Sequence, residues 1–573
     1  MLKSKCRKQL LLTSEMPWLS ERQSKLLSGT IYHTFREDIL PFLPVYVFNN
    51  VFSSTTGRPT KDIQSMLGLF IIQALFDMTD IEAVEAYSFN DTFRYALDLP
   101  RNECLAERTF YYYRSKLLGE GHAVFETVLK RIAEKINLPF HIQRKDSTLV
   151  RTWLKRMSKI ELFRTTIKSF LVELKGSHPA IFSKLDGDFI DKFLPKKDGE
   201  SWFSGDKPSQ YAERLVEVAK DVLWLIEQFS CQASVAILPS FALLQRLAKE
   251  QIQVHDDKVE VKLDAQFKGS ALVNPHDPDA RYDGHRKEVG YHVQLTETCS
   301  ESKDVDNPKI ITQIEVNLAN SPDVQTVIPG IERLEEAGLK PEILLTDNGY
   351  ASDDNHQGLK DRGVDHVCPP AGALPDGFGV IDFAINEDGE SIKRCPMGKP
   401  CLENKVSSAK KATASYFAVD SCRSCPHSHD CPVKITKKKA KLDWAWKRPR
   451  LEARRLQFDG DKPVKKLFRQ RSGGEVPFSI LKNKMGLSRI RRRGHAKTTL
   501  MVLFAATALN VLRTHQWLAR AAEKTKKALS DAINPAFSIF QDLLRALMKA
   551  APDDQADHTG GSNVQRAAWA LAV

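Results

Sequence analysis

An α/β fold with a mixed sheet is predicted for this chain of 573 residues, preceded by a helical region. Three observations predict it. Segments rich in β-formers follow one another from Val254 onward: Lys258–Leu263 and Gly290–Glu297 alternate, and Lys309–Val316 is β-branched. A helical stretch, Asp323–Gly338, then leads to an apolar strand at Pro341–Tyr350, a helix at Asp354–Arg362 and a short strand at Asp365–Cys368. Strands followed by helix, strand, helix, strand is the order of an α/β layer. Upstream, apolar residues recur at helical spacing over long stretches.

The first 55 residues carry little signal. The pattern turns helical from Gly57. Ser65–Phe76 is almost wholly apolar and is expected to be a buried helix; Asp80–Tyr87 is a second. Glu107–Leu117 (ERTFYYYRSKL) mixes aromatic, basic and hydroxyl side chains on one helix. Short helices ending in a basic aromatic one are what a helix-turn-helix offers DNA; a plain helical packing domain is the alternative. Pro139–Val150 reads as a strand and its exit. A helical region, Arg151–Gln251, follows, split by a loop at Asp186–Ser209. Cys395–Cys431 reads as loop-rich, Glu475–Met485 and Thr498–Ala519 as helices, and the tail after Ala551 as flexible. No internal repeat is visible.

Composition narrows the class. Apolar residues make 42% and charged ones 27%, ordinary for a globular chain. There are 84 Lys and Arg against 72 Asp and Glu, a net charge of +12. The basic residues cluster: five lysines in Lys434–Lys441, then Lys447, Arg448, Arg450, Arg454 and Arg455, then Lys465, Lys466, Arg469 and Arg471, then Arg489, Arg491, Arg492 and Arg493. A concentrated positive field suits a polyanion such as DNA, because neutralised phosphates release counterions. No stretch reaches the roughly 18–20 apolar residues of a membrane span. Thr498–Leu512 comes nearest and reads as a buried helix. The basic N-terminus lacks the apolar region of a signal peptide. A cytoplasmic location is therefore expected, where clustered cysteines point to metal rather than to disulfides.

Asp347 ends the strand ILLTD, at the carboxyl edge where α/β active sites lie. Phosphodiester cleavage with two metal ions needs several carboxylates on one point, because Mg²⁺ prefers oxygen ligands. Asp146, in KDST, ends an earlier strand. Glu475 begins a helix that carries Lys482 two turns on, so one face would present a carboxylate to metal and an ammonium to phosphate.

These pieces resemble the DDE transposases of bacterial insertion sequences. The resemblance spans roughly residues 55 to 520. DST at Asp146–Thr148 is similar to the family's first acidic motif. HDPDARYDG and GYHVQLTETC resemble the strands leading away from it, and TDNGY around Asp347 its second motif. Arg471, Glu475 and Lys482 fit the signature of Tyr, two residues, Arg, three residues, Glu, six residues, Lys. RIRRRGHAKTTLMVLFAATALNVLR resembles the closing segment. Phe468 stands at the signature's Tyr position, so a ring is kept and a hydroxyl lost.

The resemblance implies a ribonuclease H-like catalytic core that cuts DNA at the element's ends and joins it to target DNA. Asp146, Asp347 and Glu475 would hold two Mg²⁺ (or Mn²⁺) ions. Arg471 and Lys482 would contact the phosphates of the ends, with Arg489, Arg491, Arg492, Arg493 and Lys497 as further DNA contacts. Partners would be double-stranded DNA, as terminal inverted repeats and as target, and a second copy of the chain in a synaptic dimer. Rivals for the first acid are Asp264, Asp277 and Asp279, with Asp146 favoured; Glu452 is the rival to Glu475. Other readings are a non-catalytic DNA-binding repressor and a metal-dependent nuclease that never joins. The expected organisation is a helical DNA-binding domain over 1–135, then a core over 136–520 and a C-terminal helix and tail over 521–573. A helical insertion, 151–252, and a cysteine-bearing one, 385–445, would interrupt the core.

The cysteines are separate chemistry. Cys422, Cys425 and Cys431 follow C-x2-C-x5-C and Cys395 lies upstream; four thiolates suit a structural Zn²⁺. Cys401, His427 and His429 are substitutes, and free thiols in a surface loop are the alternative. Cys6, Cys104, Cys231, Cys299 and Cys368 are scattered, most expected to be small buried hydrophobes.

Overall fold

Strand β1 (Ile142–Thr152) is the spine of a seven-stranded mixed sheet. In chain order its other members are β2 (Arg281–Asp283), β3 (Glu288–Thr298), β4 (Ile311–Leu318), β5 (Ile343–Leu345), β6 (Asp365–Val367) and a short strand at Arg489–Ile490. β3 runs antiparallel to β1, β2 and β4; β5 and β6 run parallel to β1 and to each other. The main order is thus β4–β3–β1–β5–β6, with Arg489–Ile490 pairing in parallel with the far end of β1. Register places Asp146 opposite Leu295. Gly290 lets β3 come close: a Cβ there would lie 2.1 Å from the Val150 carbonyl oxygen.

The computed structural model describes residues 19–550, apart from 54, 196–209, 257, 263–268, 302–306, 371, 373 and 375. The flexible-tail expectation and Cys6 lie outside the described residues. Residues up to Thr514 form one unit and those from His515 a second.

Within the first unit, helices Ile63–Leu75, Asp80–Phe89 and Glu107–Lys116 match the predicted positions to within two residues. Ile63–Leu75 is buried along most of its length, as its uniform apolar character requires. The region after β1 is helical too. Its long helices, Lys159–Ser177, Tyr211–Phe229 and Pro239–Gln251, bury one stripe each around Phe163, Phe170, Phe229 and Phe241. The predicted loop at Asp186–Ser209 is wrong at its start, because Asp186 caps a short helix, Gly187–Phe193.

Three further expectations are corrected. Lys258–Val261 is a strand but not of the main sheet: it pairs with Ile252–His255 in a separate hairpin, where alternation serves a single covered face. The cysteine segment is not only loop. Glu403–Ser407, Ala412–Phe417, Lys434–Ile435 and Ala440–Ala445 form a four-stranded antiparallel sheet over a small core of Phe383, Phe417, Leu442 and Trp444. The helix from His495 runs to Ala550, well past the predicted end. It is long and apolar enough to cross a membrane by length and composition, but Leu503, Phe504, Leu509 and Val511 are buried in the first unit, as in a core helix.

Candidate active site and basic cleft

Alternation along β1 sorts its side chains onto two faces. One face carries Arg144, Asp146 and Thr148, and residues 470–482 cover it step by step. Arg144 donates to the Gln470 carbonyl (2.6 Å), Arg471 donates to Asp146 (3.2 Å), and Lys482 donates to the Thr148 hydroxyl (2.6 Å). Gly473 and Gly474 permit the approach. A Cβ on Gly473 would collide with the Arg144 guanidinium, and one on Gly474 would lie 3.3 Å from an Asp146 oxygen. The helix Glu475–Lys484 starts at that contact.

Arg471 joins the first two acids. Its Nη2 donates to Asp146 Oδ2 at 3.2 Å and to Asp347 Oδ2 at 3.1 Å. Asp347 follows β5, caps a short turn and accepts the Gly349 N–H at 2.9 Å. Burial pushes the Asp146 carboxyl above its usual range. Arg471 and the Ser147 N–H oppose this, while the charges of Asp347 and Glu475 push the same way as burial. Glu475 is exposed on the first turn of its helix, so its charge reaches Asp146 from the solvent side. Asp146 and Asp347 offer carboxylate oxygens on either side of Arg471, a hard donor pair that suits a divalent cation, while the three acids together do not close to within 4.8 Å of one another.

A network not foreseen from sequence holds the covering segment. Glu297, fully buried on β3, accepts from Arg144 (2.8 Å) and from Arg513 of the long helix (2.6 Å). The available signal was parity: Arg144 stands two residues before Asp146, on its face. On the opposite face Ser147 donates to Asp323 (3.0 Å).

The rival acids are engaged elsewhere. Asp277 is buried and accepts from the Tyr291 hydroxyl at 2.6 Å; Asp279 accepts the His495 N–H at 3.2 Å. Asp264 lies outside the described residues. Glu452 is buried against the Ile381 N–H (2.9 Å) and Arg448 (2.9 Å). Phe468 packs edge-on against Phe458.

The basic residues divide. Lys482 is half-buried, and burial, then Arg286 and Arg151, push its ammonium below its usual range. Arg489 lies over the Trp153 ring. Arg491 pairs with Asp77 (3.0 Å) and Arg492 with Asp80 (2.6 Å). Arg491, Arg492, Arg493 and Lys497 line a cleft of about 730 Å³ together with Tyr111 and Arg114 of the Glu107–Lys116 helix. Arg450 and Arg454 pair with Asp353, and Arg455 donates to the Pro370 carbonyl (2.6 Å). That part of the basic cluster is committed to internal contacts.

Cys395, Cys422, Cys425 and Cys431 line a single cavity of about 380 Å³, with His427 beside them. Burial raises the Cys422 and Cys431 thiols, and the neighbouring cysteines add to it. Cys401 faces the carbonyls of Glu403 and Tyr416, both at 3.3 Å. Of the scattered cysteines, Cys299 and Cys368 are buried, but Cys104 and Cys231 are exposed.

Asp146 does not end its strand as expected but lies inside β1, because pairing with β3 carries the strand on to Thr152. A mixed α/β sheet with one aspartate on its central strand, joined through an arginine to a second just after the neighbouring strand, defines the general class. Comparison with known families narrows it: residues 394–515 match the Transposase DDE domain, and residues 33–116 match the Transposase domain (DUF772). The matches support a DDE-type transposase of the insertion-sequence type, and with it a ribonuclease H-like core, a divalent metal and DNA as partner. The first match holds Arg471, Glu475 and Lys482; Asp146 and Asp347 lie between the two. No curated protein and no solved structure matches the chain.

Proposed function

We propose that this protein cuts DNA at the ends of an insertion sequence and joins those ends to target DNA, with Asp146, Asp347 and Glu475 as the catalytic acids. The observation that carries the reading is the single Arg471 nitrogen within 3.2 Å of both Asp146 and Asp347, on the segment that leads into Glu475. The three acids would hold the Mg²⁺ (or Mn²⁺) ions, which activate the attacking oxygen and stabilise the leaving one in an in-line displacement. Arg471 holds the two aspartates at one point and offers its guanidinium to phosphate. Lys482, seated on Thr148, presents an ammonium beside the same strand. The attacking groups are water for nicking and a 3′-hydroxyl for joining.

Arg489, Arg491, Arg492, Arg493 and Lys497 extend the phosphate-binding surface along the basic cleft, which the helical region over 1–135 helps to wall. Double-stranded DNA binds there, as terminal inverted repeats and as target, and two copies of the chain synapse two ends. The core over 136–520 is interrupted at 151–252 and 385–445, and 521–573 forms a C-terminal appendage. Cys395, Cys422, Cys425 and Cys431 hold a structural Zn²⁺ in the second interruption. The enzyme works in the cytoplasm, where its element's DNA is.

The test is a cleavage and strand-transfer assay on the terminal inverted repeats with Mg²⁺, comparing wild type with Asp146→Ala, Asp264→Ala, Asp347→Ala and Glu475→Ala. Loss of about a thousandfold or more is expected for Asp146, Asp347 and Glu475. Full activity in Asp347→Ala or Glu475→Ala overturns the mechanism, and activity kept in Asp146→Ala but lost in Asp264→Ala moves the first acid. Cleavage without joining would make the protein a nuclease. DNA binding that survives in a wild type unable to cleave would make it a repressor.

A further inference from the structure

Next to Thr346, the residue before Asp347, lies a second group of ligand-type side chains that the transposition chemistry does not use. His356 stands on the helix Asp353–Asp361, His366 on β6, and Cys368 just after it. One donor atom from each lies within 4.8 Å of the other two. His356 Nε2 is 3.6 Å and His366 Nδ1 3.9 Å from Cys368 Sγ, and the rings stand 4.4 Å apart between centroids. His356 and Cys368 are buried.

We propose that His356, His366 and Cys368 form a binding site for one thiophilic divalent cation of the zinc class, which ties the helix Asp353–Asp361 to β6 beside Thr346. Two imidazoles and one thiolate are a borderline-soft set that zinc takes, leaving a fourth position for water. The carboxylate site a few residues away is a hard, oxygen-only set, so the two select different ions.

The surroundings prepare the two imidazoles, whereas burial pushes the Cys368 thiol up to about 12, so the cation itself must displace that proton. Thr346 donates to the Asp347 carbonyl (3.1 Å), which leaves its oxygen to accept from His366 Nε2 at 2.8 Å. With the proton held on Nε2, the lone pair on Nδ1 faces Cys368. An outer partner that fixes the tautomer in this way is the usual companion of a ligating histidine. Burial, with Arg454 adding to it, holds both imidazoles in the neutral, ligating form. Binding exchanges the thiol proton, released to solvent, for the cation. Because Thr346 is the residue before Asp347, the ion and the second acid share one backbone segment.

The alternative is a closed hydrogen-bonded cluster, with the thiol donating to one imidazole and accepting from the other. Cobalt(II) separates the two. The full-length protein is stripped with chelator and titrated with Co²⁺ alone, in wild type, Cys368→Ser and Thr346→Val. The wild-type-minus-Cys368→Ser difference is expected to show about one equivalent of Co²⁺ with a near-ultraviolet thiolate band. Thr346→Val keeps the ligands and is expected to weaken that equivalent by roughly 10–100-fold. This second variant serves if Cys368→Ser does not fold. The oxygen-only site gives no thiolate band, so the result does not depend on the catalytic reading. Identical Co²⁺ stoichiometry and spectra in wild type and Cys368→Ser would overturn the proposal, as would Thr346→Val binding indistinguishable from wild type.

Discussion

The pair of aspartates that Arg471 joins, Asp146 and Asp347, and the thiols around the cavity at Cys395–Cys431 are assembled by different means. Arg471 is 325 residues from Asp146 in sequence and reaches it only because residues 470–482 lie along β1. The thiols come from one stretch, and a small sheet with its own core of Phe417, Leu442 and Trp444 brings them to one wall. The first arrangement depends on the whole sheet, the second on a local insertion. Damage to one is therefore expected to leave the other intact, unless the insertion itself carries the DNA path.

The largest expected effect separates them. Asp347→Ala is expected to remove strand transfer by about a thousandfold while zinc content and the protease resistance of residues 378–445 stay at wild-type levels. Cys422→Ser with Cys425→Ser should do the reverse for both metal content and protease resistance. Metal analysis and limited proteolysis on the same preparations decide it. If Asp347→Ala also sheds the thiol-bound metal, the two regions are not independent.

A smaller effect probes what holds the carboxylate site together. Glu297 is fully buried between Arg144 and Arg513. Glu297→Gln leaves two guanidinium groups without their counter-charge and is expected to cost about 3–5 kcal/mol. Urea unfolding should show this loss. A change under about 1 kcal/mol would mean that water or another acid replaces the carboxylate, and that the buried triad does not anchor residues 470–482.

The contrast also explains what could be read from sequence. Asp347, Glu475 and Lys482 carried local signals: a strand end, and a helical spacing of seven. The long helices were legible because a single buried stripe writes its period into the chain, as at Leu215, Val218, Val222 and Phe229. Lys258–Val261 was legible as a strand but not as a hairpin outside the main sheet, since alternation does not name a partner. The Glu297 triad was invisible, because Arg144 meets Glu297 only through the register of β1 on β3 and Arg513 reaches it only through the docking of the long helix. The small sheet was hidden as well: Ala412–Phe417 has strand composition, but glycines, prolines and lysines around it read as loop.

The smallest expected effect compares two aspartates that arginines touch. Asp146 has one guanidinium and two like charges near it, and its carboxyl is pushed above the ordinary range, burial being the main cause. Asp80 is also partly buried, which alone would raise it, but hydrogen bonds from Arg114 and Arg492 outweigh burial and hold it well below that range. A carboxyl held low in the folded state stabilises the fold above its unfolded value near 4, and that contribution is lost as pH falls. Asp80→Asn is therefore expected to cost about 1–2 kcal/mol at pH 7. The gap from wild type should be constant above about pH 5 and narrow steadily below pH 4. Thermal unfolding across that range reads it. A gap that widens toward low pH would put Asp80 with Asp146, among carboxyls short of positive charge, and would mean that the Asp80 pairs with Arg114 and Arg492 do not stabilise the fold.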